Sequence, residues 1–339
     1  MTIALSAERL TGGFCDPEIL RQALLWRGKE RDALFQRARK LRNEYFPDHE
    51  IEVRSVIEVS NKCCQTCLFC NMSGGLRVIK RYILDRDNIM RIVDTLYARK
   101  RRVLLLQSGE NHAQSYIDFI SRCVHIITKR FPDMTVILCM GSLEKKHYIQ
   151  LYEAGARRYI LKFETSNPML YSRIKPDDTL VRRVECIHSL EDIGFEVGSG
   201  NIIGLPTQTL DDIVRDLLFI RTLKLTMVST SVFIPGENSR YCNNSAGNVD
   251  LVLNYMALLR ILYPHMLIPS TSSLETAKQN GQYGGLQAGA NVVTVHDGTP
   301  GRLRKLFPIY STHRFTPDRT YACRILKKAG LSNEADSDF

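Results

Sequence analysis

Residues 54–75 read RSVIEVSNKCCQTCLFCNMSGG, an apolar run that ends in a crowded set of cysteines. The first half, Arg54–Ser60, is short, carries β-branched residues and stops at Asn61, so it predicts a strand. Upstream, residues 16–46 place Leu20, Leu24, Leu25, Leu34 and Phe35 at helical spacing. Downstream, strand-like runs alternate with amphipathic helical ones. The strand candidates are Arg54–Ser60, Val103–Ser108, Thr135–Met140, Tyr159–Glu164, Glu196–Ile203, Met227–Ile234, Met266–Ser270 and Ala290–Val295. Helix candidates lie near 87–100, 114–131, 143–154, 179–193, 210–223, 249–262 and 274–282. Parallel strands separated by helices are the pattern of a barrel. Several strands run into small or polar residues (Ser108-Gly109, Gly141-Ser142, Gly204-Leu205-Pro206, Pro235-Gly236) at the ends where such barrels build active sites. A doubly wound open sheet is the competing fold, but no GxGxxG fingerprint follows the first strand. The expectation is therefore an α/β protein, a complete (β/α)8 TIM-type barrel over residues 51–310. An N-terminal helical extension would occupy 1–50, and a C-terminal helix and tail 311–339.

With 339 residues and 44% hydrophobic content, the chain can bury a core of that size. Its net charge is +10, with basic clusters at Lys80–Arg81, Arg99–Arg102 and Arg302–Lys305. These could meet RNA, an anionic cofactor or an acidic protein; the plainer reading is solvated helix ends and loops. No dense run of basic and aromatic residues supports nucleic-acid binding. The start, MTIALSAERLTGGF, lacks the features of a signal peptide, and no stretch of about 18 apolar residues predicts a membrane span. Ten cysteines at uneven spacing, four of them between Cys63 and Cys70, point to metal or redox chemistry in a reducing, cytoplasmic compartment.

Cys63, Cys67 and Cys70 have the spacing C-x3-C-x2-C, with Phe69 just before the last thiol. Thiolates suit iron–sulfur clusters and zinc. Three ligands would leave one iron of a cubane with an open position that a small molecule can chelate. Cys64 creates a second triplet with Cys67 and Cys70, and a four-thiolate zinc site is the rival, although such sites normally draw on two separated pairs. Cys139 and Cys186 read as core residues.

This cysteine segment resembles the motif of the radical S-adenosylmethionine (SAM) superfamily. The resemblance implies a [4Fe–4S] cluster on Cys63, Cys67 and Cys70, with SAM chelated to the open iron. It implies that the turn Ser108-Gly109-Glu110 receives the methionyl amino group, with Gly109 allowing close approach and Glu110 supplying negative charge. Glu164, at the end of strand four, is a candidate for the ribose hydroxyls or the ammonium, or else a plain helix-start acid. Arg183 could pair with the methionyl carboxylate, with solvation the bland alternative for it and for Arg182. Asn201–Thr209, apolar around Ile203 and then Gly-containing, is a candidate adenine cradle.

Over roughly residues 30–310 the chain looks like the biotin-synthase-like branch, near the [FeFe]-hydrogenase maturase of the HydE type and methylornithine synthase. The marks are IEVSN at 57–61, LQSGE at 106–110, FETSNP at 163–168, GNIIGLPTQT at 200–209, FIP at 233–235, IPST at 268–271 and LQAGANVV at 286–293. That resemblance implies reductive cleavage of SAM to a 5′-deoxyadenosyl radical, which acts on a small polar, amino-acid-like substrate near Arg54, Thr271 and Asn291. A flavodoxin- or ferredoxin-type electron donor is implied as well. Departures cluster on the substrate side: Phe307-Pro308 where the maturase carries Tyr-Pro, Lys162 for an expected arginine, and no C-terminal cysteine cluster. They favour the same chemistry on a different substrate over hydrogenase maturation or a methylornithine-synthase-like rearrangement. A binding module with an iron–sulfur or zinc site is the non-enzyme alternative.

Overall fold

The computed structural model describes residues 16–48 and 51–333; the segment read against a signal peptide, 1–14, lies outside them. The first helix, α1 (Pro17–Leu25), starts where Asp16 accepts the Glu18 N–H at 2.9 Å and Pro17 supplies a preset φ. The helical stretch read across 16–46 breaks at Trp26–Arg27, and α2 (Gly28–Tyr45) follows.

Eight strands come next: β1 (Glu52–Ser60), β2 (Val103–Ser108), β3 (Thr135–Cys139), β4 (Arg158–Ile160), β5 (Glu196–Ile203), β6 (Leu225–Val232), β7 (Pro269–Ser270) and β8 (Val292–Val295). The helices between them are α3 (Arg86–Ala98), α4 (Gln114–Arg130), α5 (Lys145–Glu153), α6 (Pro168–Ile174), α7 (Leu180–Ile193), α8 (Leu210–Phe219) and α9 (Val249–Leu262). After β7 the single expected helix is two short ones, α10 (Ser272–Ala277) and α11 (Gly281–Gln287), followed beyond β8 by α12 (Gly301–Arg304) and α13 (Arg319–Ala329).

The strands form one parallel sheet in the order β6-β5-β4-β3-β2-β1-β8-β7. Leu267, just before β7, closes the circle: its carbonyl accepts from Val228 N–H at 2.9 Å and its N–H donates to Thr226 at 3.0 Å. The expected TIM-type barrel is thus what forms, and the competing doubly wound sheet does not.

Period-two alternation sorts the side chains. Val56, Leu105 and Ile137 make a small inner core, whereas Ile57, Leu104, Leu106, Val136 and Leu138 face the helices in the main core. The floor is polar and paired. Glu52 bridges Arg54 at 2.5 Å and Arg158 at 2.7 Å, and Arg158 also reaches Glu196 at 2.6 Å. Beyond β8 the chain crosses the barrel mouth. Tyr310 and Ser272 share a hydroxyl hydrogen bond of 2.6 Å, Ser311 donates to Glu237 at 2.6 Å, and Phe315 N–H donates to Thr276 at 2.9 Å. The segment after Tyr310 therefore stays on the barrel as a strap.

Candidate active site at the barrel mouth

The cysteine loop leaves β1 through Asn61, which is fully buried. Its amide donates to Lys80 O at 2.9 Å and Leu306 O at 2.6 Å, and accepts from Tyr82 N–H at 2.8 Å. Arg81 donates to the carbonyls of Asn61 (2.6 Å), Met72 (2.9 Å) and Ser73 (2.6 Å). One member of a basic cluster is thereby explained as a loop staple. Phe69 packs among Leu170, Ile174, Ile202, Leu205 and Phe233, which presses the loop onto the ends of α6, β5 and β6.

Cys63, Cys67 and Cys70 are half-buried, whereas Cys64 is exposed with its sulfur 4.0 Å from His112 Nε2. Cys70 Sγ accepts from Met72 N–H at 3.3 Å, and Cys67 Sγ accepts from Lys175 Nζ at 3.4 Å. Burial pushes the Cys67 and Cys70 thiols up, and the Lys175 ammonium pulls Cys67 partly back. Among the described residues, the ligand atoms that gather within 4.8 Å of one another are those of Cys64, Glu110 and His112, not those of the three cysteines. A tetrahedral zinc shell with bonds of about 2.3 Å would need its sulfurs about 3.8 Å apart. At least one separation among the three thiols exceeds 4.8 Å, so they do not close around a single zinc ion, and a larger group such as an iron–sulfur cubane suits them better. The Cys64–Glu110–His112 group is already served by a proton, because His112 Nε2 lies 2.9 Å from the Ser142 carbonyl, which can only accept.

Gly109 lets β2's end reach this loop: a Cβ there would stand 2.4 Å from Lys62 O and 2.8 Å from Cys63 Cβ. Next to it, Glu110 is buried and accepts from Gln65 (2.8 Å), His112 (3.1 Å) and Ser142 N–H (2.9 Å). Arg183 lies 3.7 Å away, held by Asp178 at 2.7 Å and Tyr171 at 2.9 Å. Burial pushes Glu110 up, but His112 and Arg183 outweigh it and hold the carboxyl below its usual range. The Glu110 hydrogen bond in turn lifts His112 above the ordinary histidine range. A raised folded-state value means that this pair stabilises the fold in acid and loses its effect as pH rises through that value. The denaturation midpoints of wild type and His112→Ala should therefore converge as pH is raised. A constant gap would contradict the pairing.

Below lies a cavity of about 250 Å³. Lys162 and Glu164 face it as an ion pair of 3.1 Å, and Glu164 takes a left-handed φ of +62°. Non-glycine residues hold that conformation only where the surroundings impose it, and here Gly200 O and Ile202 N–H bracket the Glu164 backbone at 2.9 Å each. Arg54 lines the floor, with Gln107, Ser229, Ser231 and Thr271 on the walls and Tyr310 and Arg314 from the strap above.

A model of the Radical SAM superfamily matches residues 57–220. Over 308 residues, 90% of this chain and 87% of the relative, the sequence is 34% identical to "[FeFe] hydrogenase maturase subunit HydE" of Thermotoga maritima. The chain belongs to the radical SAM superfamily. It is also similar to 3-methylornithine synthase of Methanosarcina acetivorans, at 26% identity over 85% of this chain and 81% of that one. The fold matches the crystal structure of methylornithine synthase with a TM-score of 0.84 at 22% identity, covering 98% of each chain. As a radical SAM enzyme the protein works with a [4Fe–4S] cluster and SAM. Among the described residues no helix is long and apolar enough to cross a membrane.

Against that identity the sequence expectations divide. Cys63, Cys67, Cys70, Gly109, Glu110, Glu164 and Arg183 converge on the mouth, and Arg54 and Thr271 line the cavity. Asn291 does not belong with them. It precedes β8 at the opposite end, beside a separate hollow of about 480 Å³, and its side-chain oxygen is taken by Arg260 (2.7 Å) and Ile268 N–H (2.8 Å). The preceding turn is likewise a packing node, with Gly289 O accepting from Arg260 at 2.9 Å and Ala290 O from Arg42 at 3.3 Å. Ile203 is also corrected: the alternation of β5 turns its side chain into the main core and leaves Ile202 on the cavity. Cys139, read as core, is a cavity-wall thiol that burial pushes up to about 11, while Cys186 is core as expected. Lys175, His296, Tyr310 and Arg314 were missed, because each reaches the site from a loop with no motif of its own.

Proposed function

We propose that this enzyme holds its [4Fe–4S] cluster on Cys63, Cys67 and Cys70, and SAM between Glu110, Arg183 and Glu164. Its substrate is then a small, polar, amino-acid-like molecule in the cavity beneath. The observation that carries this reading is the placement of three half-buried thiols around the mouth that also holds the Glu110–Arg183 pair. When bound, the cluster supplies the electron that cleaves the C5′–S bond of SAM, with a low-potential donor of flavodoxin or ferredoxin type refilling it. The chain's own groups do the rest. Arg183 spends Nε and one terminal nitrogen on Tyr171 and Asp178, which leaves the other terminal nitrogen for a carboxylate. Glu110, kept ionised, suits an ammonium. Lys162, Arg54 and Arg314, each paired with a carboxylate, line the cavity together with Thr271, Ser229 and Ser231, a polar wall that suits a small polar substrate.

The test is anaerobic reconstitution followed by dithionite and SAM. About four iron per chain and release of 5′-deoxyadenosine are expected, both abolished in Cys67→Ala and retained in Cys64→Ser. Equal product from Cys67→Ala would sink the assignment. A second reading, maturation of a hydrogenase cofactor, is favoured by the 34% identity to HydE. Activation of a hydrogenase expressed without its own maturase of that type would support it.

A further inference from the structure

Lys175 follows α6 directly and is only 5% exposed. Its position is fixed by its neighbours. Ile174 O accepts from Leu68 N–H at 2.9 Å, and Asp177 accepts from the backbone and hydroxyl of Thr66 at 2.8 and 2.5 Å. The segment 174–178 is thus docked along the cysteine loop on both sides of Cys67. From there Lys175 Nζ donates to Cys67 Sγ at 3.4 Å. Cys70 receives only a backbone N–H, from Met72. Among the described residues, Lys175 is the one charged side chain that donates to any of the three thiols. Asp178, anchored on Arg183, and Glu110 supply its compensating negative field, so the ammonium is not an isolated buried charge.

We propose that Lys175 is a positioning residue that tunes the cluster: by donating to the Cys67 sulfur it raises the cluster's reduction potential. The inference rests on the cysteine assignment above. A positive charge beside a ligand sulfur stabilises the form that carries one more electron, and an N–H···S bond withdraws negative charge from the sulfur; both effects favour reduction. A packing role alone would be served by any side chain of the same length.

The experiment uses the full chain, anaerobically reconstituted, without SAM, in wild type, Lys175→Met, Lys175→Gln and Lys175→Arg. Iron and sulfide content, thermal midpoint and the cluster's midpoint potential by dye-mediated EPR titration are measured at one pH. The expected result is a shift to more negative potential in both neutral variants, with most of the wild-type value kept in Lys175→Arg. A neutral variant that melts like wild type but loses its cluster, while Lys175→Arg keeps it, also supports the assignment. Equal potentials in all four proteins overturn it, as does cluster loss in Lys175→Arg along with the neutral variants. Failure of the wild type itself to bind about four iron would instead refute the cysteine assignment.

Discussion

Replacing Arg314 by methionine is expected to cost about 3–5 kcal/mol of folding stability, the usual penalty for stripping one partner from a buried ion pair. Glu58, on the inner face of β1, is fully buried, and its carboxylate accepts from the Arg314 guanidinium. His296 lies 3.0 Å from the same carboxylate, and burial, with Arg314 beside it, holds that imidazole below its usual range. Removing Arg314 strips this buried carboxylate of its arginine and leaves only the His296 ring beside it. The same substitution frees the strap, since Arg314 ties residues 307–315 to β1. Urea denaturation should show the loss, and limited proteolysis should cut between residues 300 and 318 faster than in wild type. The double variant Glu58→Gln/Arg314→Met should recover much of the loss because it buries no orphan charge. A single-variant cost below about 1 kcal/mol, the range of surface ion pairs, would show that the pair is solvated.

Gly141→Ala is expected to damage SAM binding. Gly141 has φ +81°, and a Cβ there would stand 2.1 Å from Glu110 Oε2 and 2.6 Å from its Cδ. The left-handed backbone costs an alanine about 1–2 kcal/mol. Glu110 cannot step aside freely, because Gln65, His112 and Ser142 N–H hold it. Each charged hydrogen bond given up costs about 1.5–3 kcal/mol more. We expect SAM affinity to fall by at least about tenfold, equivalent to about 1.4 kcal/mol, with iron content unchanged. Calorimetric titration of SAM into the reconstituted variant measures this. Wild-type affinity would show that Glu110 is not the ammonium's partner.

Much of the fold was legible because a parallel barrel writes itself locally. Val103–Ser108, Glu196–Ile203 and Val249–Leu262 fall on the residues that periodicity marks. Strand ends were less legible. β4 stops at Ile160 and the chain meets β5 again only at the left-handed Glu164, and β7 holds only Pro269–Ser270, with Leu267 bridging β6 just before it. Neither event leaves a trace in hydrophobic pattern.

The order of strands, the loop that carries Cys63, Cys67 and Cys70, and the acid after β2 are fixed by the sequence, because each depends on spacing along a few neighbouring residues. Which end of a strand a polar residue serves is not. Asn291 and Thr294 are three residues apart in one segment, yet Asn291 props Arg260 below the barrel and Thr294 faces the cavity. Partner choice is the other matter that only tertiary structure decides. Arg314 reaches Glu58 across 256 residues and Lys175 reaches Cys67 across 108. Until the barrel closes and the strap crosses it, every basic side chain in the sequence is an equal candidate for a carboxylate or a thiol. Closure removes water from a few of them, and there a charge must find its partner.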